Sequence, residues 1–368
     1  MPIRASDRVA APAGRAPAPV ADGWRVPYRP LVRQGDIQTV LARYWPQSID
    51  EVRFPTEARL FRTDPHTKVL AKVNRQPGNR PEPQRPTVLA VHGLTACDRA
   101  PYMLSAARAA LEAGFDVVRL NVRNCGGTEH LCRTLYHSGL TGDLASVVEQ
   151  LAPRPLFLMG FSMGGNMALK LAGEWAAFPP PHVRAVCAIS PPVRLDLCSR
   201  NIGRPRNFVY EQRFLLQLGA ALRRKHEAMP DLFPAARPRK AESIWEFDEV
   251  FTAPAFGYGS ALDYYRQCSA ARFLDAMRLP SLIVHAKDDP FIPFEAFDPD
   301  SLDENPWITF LSPSHGGHVA FLARGPRRFW AQDAAVRYFG AILQQAHDQP
   351  SPPTANGRRP VRVASGLC

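Results

Sequence analysis

Nowhere in the 368 residues does an apolar run approach the ~18 uninterrupted positions that a membrane-spanning helix needs. The N-terminus also lacks the apolar stretch of a secretory signal. A soluble, cytoplasmic protein is therefore expected. Cysteine is sparse and unorganised: seven scattered residues make neither a disulfide framework nor a C-x-x-C zinc clip, which fits a reducing compartment. Lysine is scarce too, at six of the 45 cationic residues, and no repeat of fixed period is present. Acids fall short of bases, 34 against 45, which leaves a net charge of +11. Much of that excess is peripheral, at Arg4, Arg8 and Arg15 and again at Arg358, Arg359 and Arg362. The densest internal cluster, Arg223, Arg224 and Lys225 followed by Arg237, Arg239 and Lys240, lacks the interleaved aromatics of a base-stacking platform. Nucleic-acid binding is disfavoured as the primary function.

What is present is a 45% hydrophobic chain, enough to bury a sizeable core. Residues 1–22 and 348–368 are Ala/Pro-rich or aperiodic and are expected to be disordered tails, with one folded domain over 23–347. Inside it, short apolar runs alternate with helical patterns, the signature of an α/β fold with a mostly parallel sheet covered on both faces. Eight strands are predicted, at 58–63, 68–73, 86–92, 115–122, 155–161, 183–189, 281–286 and 307–311, and helices at 101–113, 141–152, 164–177 and 326–346. The alternation stops across 191–280, where helix patterns but no strand patterns occur. That stretch reads as a helical insertion, a cap or lid. Within it Phe208, Val209, Phe214, Leu215 and Leu218 recur at helical spacing. They predict either a helix packed on the core or a lid over an apolar substrate.

The strongest local signal is Gly160-Phe161-Ser162-Met163-Gly164, a G-x-S-x-G set between an apolar run and a helical pattern. Glycine at 160 and 164 leaves room for a tight strand-to-helix turn that lifts the Ser162 hydroxyl above the sheet edge. The bland alternative is a Gly-rich turn with an incidental serine. Serine needs a base, itself oriented by a carboxylate, and on such a sheet the order should be Ser, acid, His. Lys287-Asp288-Asp289-Pro290 follows the strand at 281–286, and Ser314-His315-Gly316-Gly317-His318 follows the next. Asp289 is preferred over Asp288 because it lies further into the turn, before Pro290; Asp288 then caps the loop. His318 is preferred over His315 because it follows the double glycine and precedes a helix. Two backbone donors should hold a developing oxyanion. Met163, after the nucleophile, supplies one, and Leu94 in His92-Gly93-Leu94-Thr95 the other.

With these residues in place, the chain resembles the YheT-like group of α/β-hydrolases, relatives of the mammalian abhydrolase-domain lipases and esterases. The resemblance covers nearly all of 30–345. It includes Gln38-Thr39, His92-Gly93-Leu94-Thr95, Arg123-Asn124-Cys125-Gly126-Gly127-Thr128 and Tyr136-His137-Ser138-Gly139. It continues through Thr252-Ala253-Pro254, Asp263-Tyr264-Tyr265-Arg266, the Asp288-Asp289-Pro290-Phe291 turn and Gly316-Gly317-His318. Ala96 and Asn124 stand where the family often has glycine. The resemblance implies an eight-stranded α/β-hydrolase fold with a helical cap and a Ser162, Asp289, His318 triad. It gives no role to the segments 123–127 and 136–139, which serve the chemistry or buttress the site. Cys125 as an alternative nucleophile lacks an identifiable base.

The expected activity is that of a serine hydrolase cleaving carboxylic esters, short- to medium-chain acyl esters or acylglycerols, through an acyl-enzyme. No metal or organic cofactor is implied. Its partner is a small-molecule ester or lipid, not nucleic acid, with peripheral membrane contact through the cap. Acyl transfer to an alcohol at the same triad is one competing reading. A non-catalytic binding protein on the same fold is another.

Overall fold

A computed structural model describes residues 20, 22–78, 80–176, 178–233 and 241–348. The expectation of disordered tails falls almost wholly on residues outside this set. Among the described residues eight strands form: β1 (Thr56–Asp64), β2 (Thr67–Asn74), β3 (Thr87–Val91), β4 (Asp116–Leu120), β5 (Leu156–Phe161), β6 (Val183–Ile189), β7 (Ser281–Val284) and β8 (Ile308–Leu311). Each lies where the apolar runs predict it. They make one sheet in the order β1-β2-β4-β3-β5-β6-β7-β8. β1, β2 and β4 pair antiparallel, and every pairing from β4 across to β8 is parallel.

The longer helices are α1 (Gly35–Tyr44), α2 (Pro101–Glu112), α3 (Gly142–Leu151), α4 (Met163–Trp175), α5 (Leu195–Ile202), α6 (Phe208–Ala228), α7 (Ala261–Cys268) and α8 (Trp330–Asp348). Successive strand residues point to opposite faces. Leu89, Val91 and Leu158 therefore pack in one apolar layer with α3 and α4, while Val88, Ala90, Phe157 and Met159 pack in a second with α2 and α8. Both layers are apolar, so β3, β4 and β5 bury every residue and read as continuous hydrophobic runs. β2, on the antiparallel side, instead buries Val69, Ala71 and Val73 and exposes Lys68.

The chain runs from β3 to β4 on one side and then crosses back to β5 on the other, making a switch point between the C-terminal ends of β3 and β5. His92, Gly93 and Leu94 leave the first of these ends and Ser162 leaves the second. Between β6 and β7 the described residues hold α5, α6, α7 and short helical turns, and no strand. No described helix is long and apolar enough to cross a membrane.

Two elements differ from expectation. Helix α1 has no prediction because its apolar residues point the wrong way: Ile37, Val40 and Leu41 are exposed while Gly35, Gln38 and Ala42 are buried. Gln38 earns its burial by donating to the Val32 carbonyl (2.7 Å) and accepting from the Leu322 amide (2.7 Å). The helix predicted from 326 begins only at Trp330, so none follows His318 directly. Leu322 bridges to Phe329, the Ala323 amide donates to the Arg328 carbonyl and Gly325 has a φ of 103°, which makes this stretch a tight turn.

Buried polar groups tie the loops above the sheet. Arg123 donates from Nε and Nη2 to the two oxygens of Asp143 at 2.6 and 2.5 Å, both side chains being under 10% exposed. This fork clamps the loop after β4 to the start of α3. Asn124, at a φ of 63°, donates from Nδ2 to the Thr134 carbonyl (2.8 Å). The Tyr136 hydroxyl accepts from the Thr95 amide (3.2 Å), and Ser138 is held by the Tyr264 hydroxyl and by Asn166. The segments 123–127 and 136–139 thus buttress the crevice. Replacing Arg123 with alanine strands a buried carboxylate, and the expected loss is about 3–5 kcal/mol of unfolding free energy by urea titration. A loss below about 1 kcal/mol refutes the clamp.

Three further histidines are buried and uncharged. Burial pushes His92, His137 and His285 down to about 4 each. The unfolded chain takes up these protons near pH 6.5 and the folded chain does not until about pH 4, so acid favours unfolding across that window. The cost is up to about 1.4 kcal/mol per pH unit per histidine. The urea midpoint should fall between pH 7.5 and pH 5, and fall less steeply in His285→Phe; a midpoint that stays constant contradicts this.

Candidate active site

Ser162 has φ 51° and ψ −121°, a conformation that residues other than glycine seldom adopt. Its amide still pairs with the Ile189 carbonyl (2.9 Å), continuing β5 against β6, while its own carbonyl accepts from Asn166 (3.1 Å) and opens α4. Strand passes into helix with no loop between. That is feasible only without side chains at 160 and 164. A Cβ at 160 would lie 2.6 Å from the Gly165 Cα, and one at 164 would lie 2.6 Å from the His92 carbonyl oxygen.

His318 brings its Nε2 to 2.9 Å from the Ser162 Oγ and its Nδ1 to 2.9 Å from the Asp289 Oδ2. The other Asp289 oxygen accepts from the amides of Phe291 (2.8 Å) and Ile292 (3.0 Å). Burial by itself would raise the Asp289 carboxyl. The charge and hydrogen bond of His318 and the Ile292 amide outweigh it and hold the group below its usual range. An ionised Asp289 accepts a hydrogen bond from Nδ1–H, which leaves the Nε2 lone pair facing the serine hydroxyl.

The imidazole is seated from several sides. Its backbone amide donates to the Thr39 Oγ1 (2.8 Å), and that hydroxyl donates to the Gly35 carbonyl (2.7 Å), so α1 positions the histidine loop. Gly317, at a φ of 60°, donates from its amide to the Asp288 Oδ1 (2.9 Å). The Val319 amide donates to the Ser190 Oγ (3.1 Å), and the Phe291 ring lies 4.7 Å from the imidazole. Asp288 therefore anchors the loop, and its second oxygen lies 3.4 Å from the Nδ1 of the partly exposed His315. The two carboxylates and two histidines sort into separate pairs. Sequence reasoning assigned no role to Thr39, Ser190 or His285; only the resemblance touched Thr39, as one of its matching residues.

Met163 is the first residue of α4, where amides lack intrahelical partners and the helix dipole is positive. Leu94 sits between two amides held by phenols, Gly93 on the Tyr102 hydroxyl (3.0 Å) and Thr95 on that of Tyr136. Leu94 and Met163 line the same cavity as Ser162 and His318. That cavity has about 1080 Å³ of empty space and is walled chiefly by apolar side chains, among them Leu195, Ile202, Phe214, Leu218 and Phe247. Asp248 also lines it, bonded by Thr252 (2.5 Å) and the Tyr265 hydroxyl (2.7 Å) and pushed by burial up to about 6. A second cleft, of about 2160 Å³, shares Leu94, Ser162, Phe214, Ala221, Phe291 and His318 with the first. Cys125 is buried and its thiol is pushed up to about 12, which makes it a poor nucleophile. Among the described residues no group of three or more His, Cys, Asp or Glu is arranged to hold a metal ion.

Residues 86–324 match the family described as alpha/beta hydrolase fold. The chain is 36% identical over 246 residues to the putative esterase YheT of Escherichia coli, covering 65% of this chain and 71% of that protein. It is 31% identical over 271 residues to the phospholipase ABHD3 of Mus musculus, covering 72% of this chain and 66% of that one. The match thus spans about two thirds of each relative. Est1E from Butyrivibrio proteoclasticus, solved with ferulic acid, superposes with a TM-score of 0.51 at 17% identity, covering 79% of this chain and all of that one, a likeness of fold alone. Taken with the eight-stranded sheet and its switch-point crevice, these matches make the chain a member of the YheT-like group of the α/β-hydrolase family.

Proposed function

We propose that the chain is a serine hydrolase of carboxylic esters, working through an acyl-enzyme on Ser162. The observation that carries this reading is the hydrogen-bond sequence from Asp289 through His318 to Ser162, 2.9 Å at each step. Ser162 Oγ attacks the ester carbonyl while His318 Nε2 takes its proton, and Asp289 stabilises the imidazolium. The amides of Met163 and Leu94 stabilise the oxyanion. Collapse expels the alcohol, which receives the proton from His318. Water, deprotonated by the same histidine, then releases the acid.

The apolar cavity takes the acyl chain, and Asp248 with Tyr265 gives its wall a polar patch unsuited to a long alkyl chain. Short- to medium-chain acyl esters or acylglycerols fit that shape. The names of the two relatives, esterase and phospholipase, agree in reaction class. The segment 191–280 acts as the cap, with α6 as its principal wall. Exposed Phe208, Val209 and Leu216 on α6 give it an apolar surface for peripheral contact with lipid. A reducing, cytoplasmic setting suits the six described cysteines, all unpaired.

Ser162→Ala should lower kcat/KM on p-nitrophenyl hexanoate by about 10⁴-fold or more with an unchanged fold, and should abolish labelling by a fluorophosphonate probe. Undiminished turnover by pure variant removes Ser162 from the mechanism. Products formed with ethanol present separate hydrolysis from transfer: acid in excess over ethyl ester is expected.

A further inference from the structure

Charge is distributed unequally around Ser162. Among the described residues no Arg or Lys lines the apolar cavity. The second cleft is lined by Arg43 of α1, Arg99 after β3, and Arg213 and Arg224 of α6, with no Asp, Glu or Lys among its described lining residues. Acids near these arginines are otherwise engaged. Glu129 takes Arg224 at 2.6 Å, and Asp36 accepts the Tyr210 hydroxyl (3.1 Å). Asp98 is buried against Asn121 (2.8 Å) and Arg119 (3.8 Å). No ion pair among the described residues involves Arg43, Arg99 or Arg213. Three separate chain segments thus bring cations to one cleft whose described lining carries no carboxylate.

An ester bound with its carbonyl at Ser162 and its acyl chain in the apolar cavity must direct its alcohol into the other space that reaches Ser162. We infer that this cleft is a subsite for an anionic group on the alcohol, and that the preferred substrates are acyl esters of a phosphate-bearing alcohol. The inference rests on Ser162 being the nucleophile. Guanidinium forks match phosphate oxygens in bidentate fashion. A one-signed cleft also concentrates anions at its mouth, an effect that salt screens. Against a neutral alcohol the same arginines have nothing to pair with.

The test compares 1-hexanoylglycerol 3-phosphate with 1-hexanoylglycerol, both as dispersed monomers, on the full-length protein. The phosphate ester should have a kcat/KM about 10-fold or more higher, carried by KM, with the advantage shrinking as NaCl rises from about 50 to 500 mM. In Arg99→Gln/Arg213→Gln the ratio between the two esters should fall toward one. Equal turnover of the two esters, or a ratio that the double variant leaves unchanged, overturns the subsite. A preference seen only when the esters are carried in phosphatidylglycerol vesicles also overturns it, since the arginines then serve a lipid surface. Binding to Ser162→Ala, measured by calorimetry with the decanoyl homologues, separates this proposal from the hydrolase reading. Tighter binding of the phosphate ester, alongside a wild-type protein that turns over no ester, sinks the hydrolase and with it the substrate preference, leaving the cleft an anion-binding site alone. Equal binding sinks the subsite whatever the turnover.

Discussion

The direct passage of β5 into α4 at Ser162 is the constraint on which the rest of the site depends. It exposes a hydroxyl above a buried sheet only because two missing side chains let three backbones meet, those of β5, α4 and the end of β3. Strain gathers around it. Thr95, Asn124, Ser190 and Val319 join Ser162 at positive φ, and two of these are β-branched residues for which the conformation is costly. Each is held by identifiable bonds: Thr95 to Tyr136 and Gln217, Asn124 to Thr134, and Ser190 to the Val319 amide. Two apolar layers beneath, one on each face of the sheet, supply the rigidity that keeps such a rim in place.

The fold was legible because its signal is local. A strand buried on both faces must be apolar throughout, so β3, β5 and β7 announce themselves, and the glycines beside Ser162 mark a turn whose geometry permits little else. Chain order then limited the acid and base to one carboxylate pair and one histidine pair. Helix α1 was illegible for a physical reason. Its buried face is Gly35, Gln38 and Ala42, stabilised by hydrogen bonds rather than by apolar area, while its large apolar residues face outward. Thr39, which seats the His318 amide, lies on that helix and 279 residues away in sequence. No periodicity reports a contact of that kind. The roles of 123–127 and 136–139 were hidden similarly, since the partners Asp143, Thr95 and Tyr264 are distant in the chain.

The sorting of the four titratable groups follows from where each strand end releases the chain. Asp289 is fully enclosed and receives two backbone amides on one oxygen, which leaves the other free for a single strong partner. Asp288 stays at the rim, spends one oxygen on the Gly317 amide and turns the other to His315. The adjacent carboxylates therefore do not compete: one orients the imidazole and the other shapes the loop that carries it. His285, buried and neutral beside Asp289, adds bulk without adding charge, with its ring stacked on Phe297 at 4.4 Å.

Helix α6 keeps the two spaces at Ser162 chemically distinct. Its buried positions are Glu211, Leu218 and Lys225, seven residues apart, so two of the three anchors along its length are polar. Glu211 accepts the Ile244 amide (3.1 Å), and Lys225 donates to the carbonyls of Glu129 and Cys132. Apolar packing alone would let a helix slide or roll, whereas hydrogen bonds near both ends fix its axial position and rotation. So fixed, α6 presents Leu218 and Leu222 to the apolar cavity, Arg213 and Arg224 to the cleft, and Phe214 to both. The basic excess read from composition is thus not wholly peripheral. Part of it stands in the second cleft beside Ser162, on the side where we place the alcohol half of an ester, with the acyl half left to hydrophobic burial.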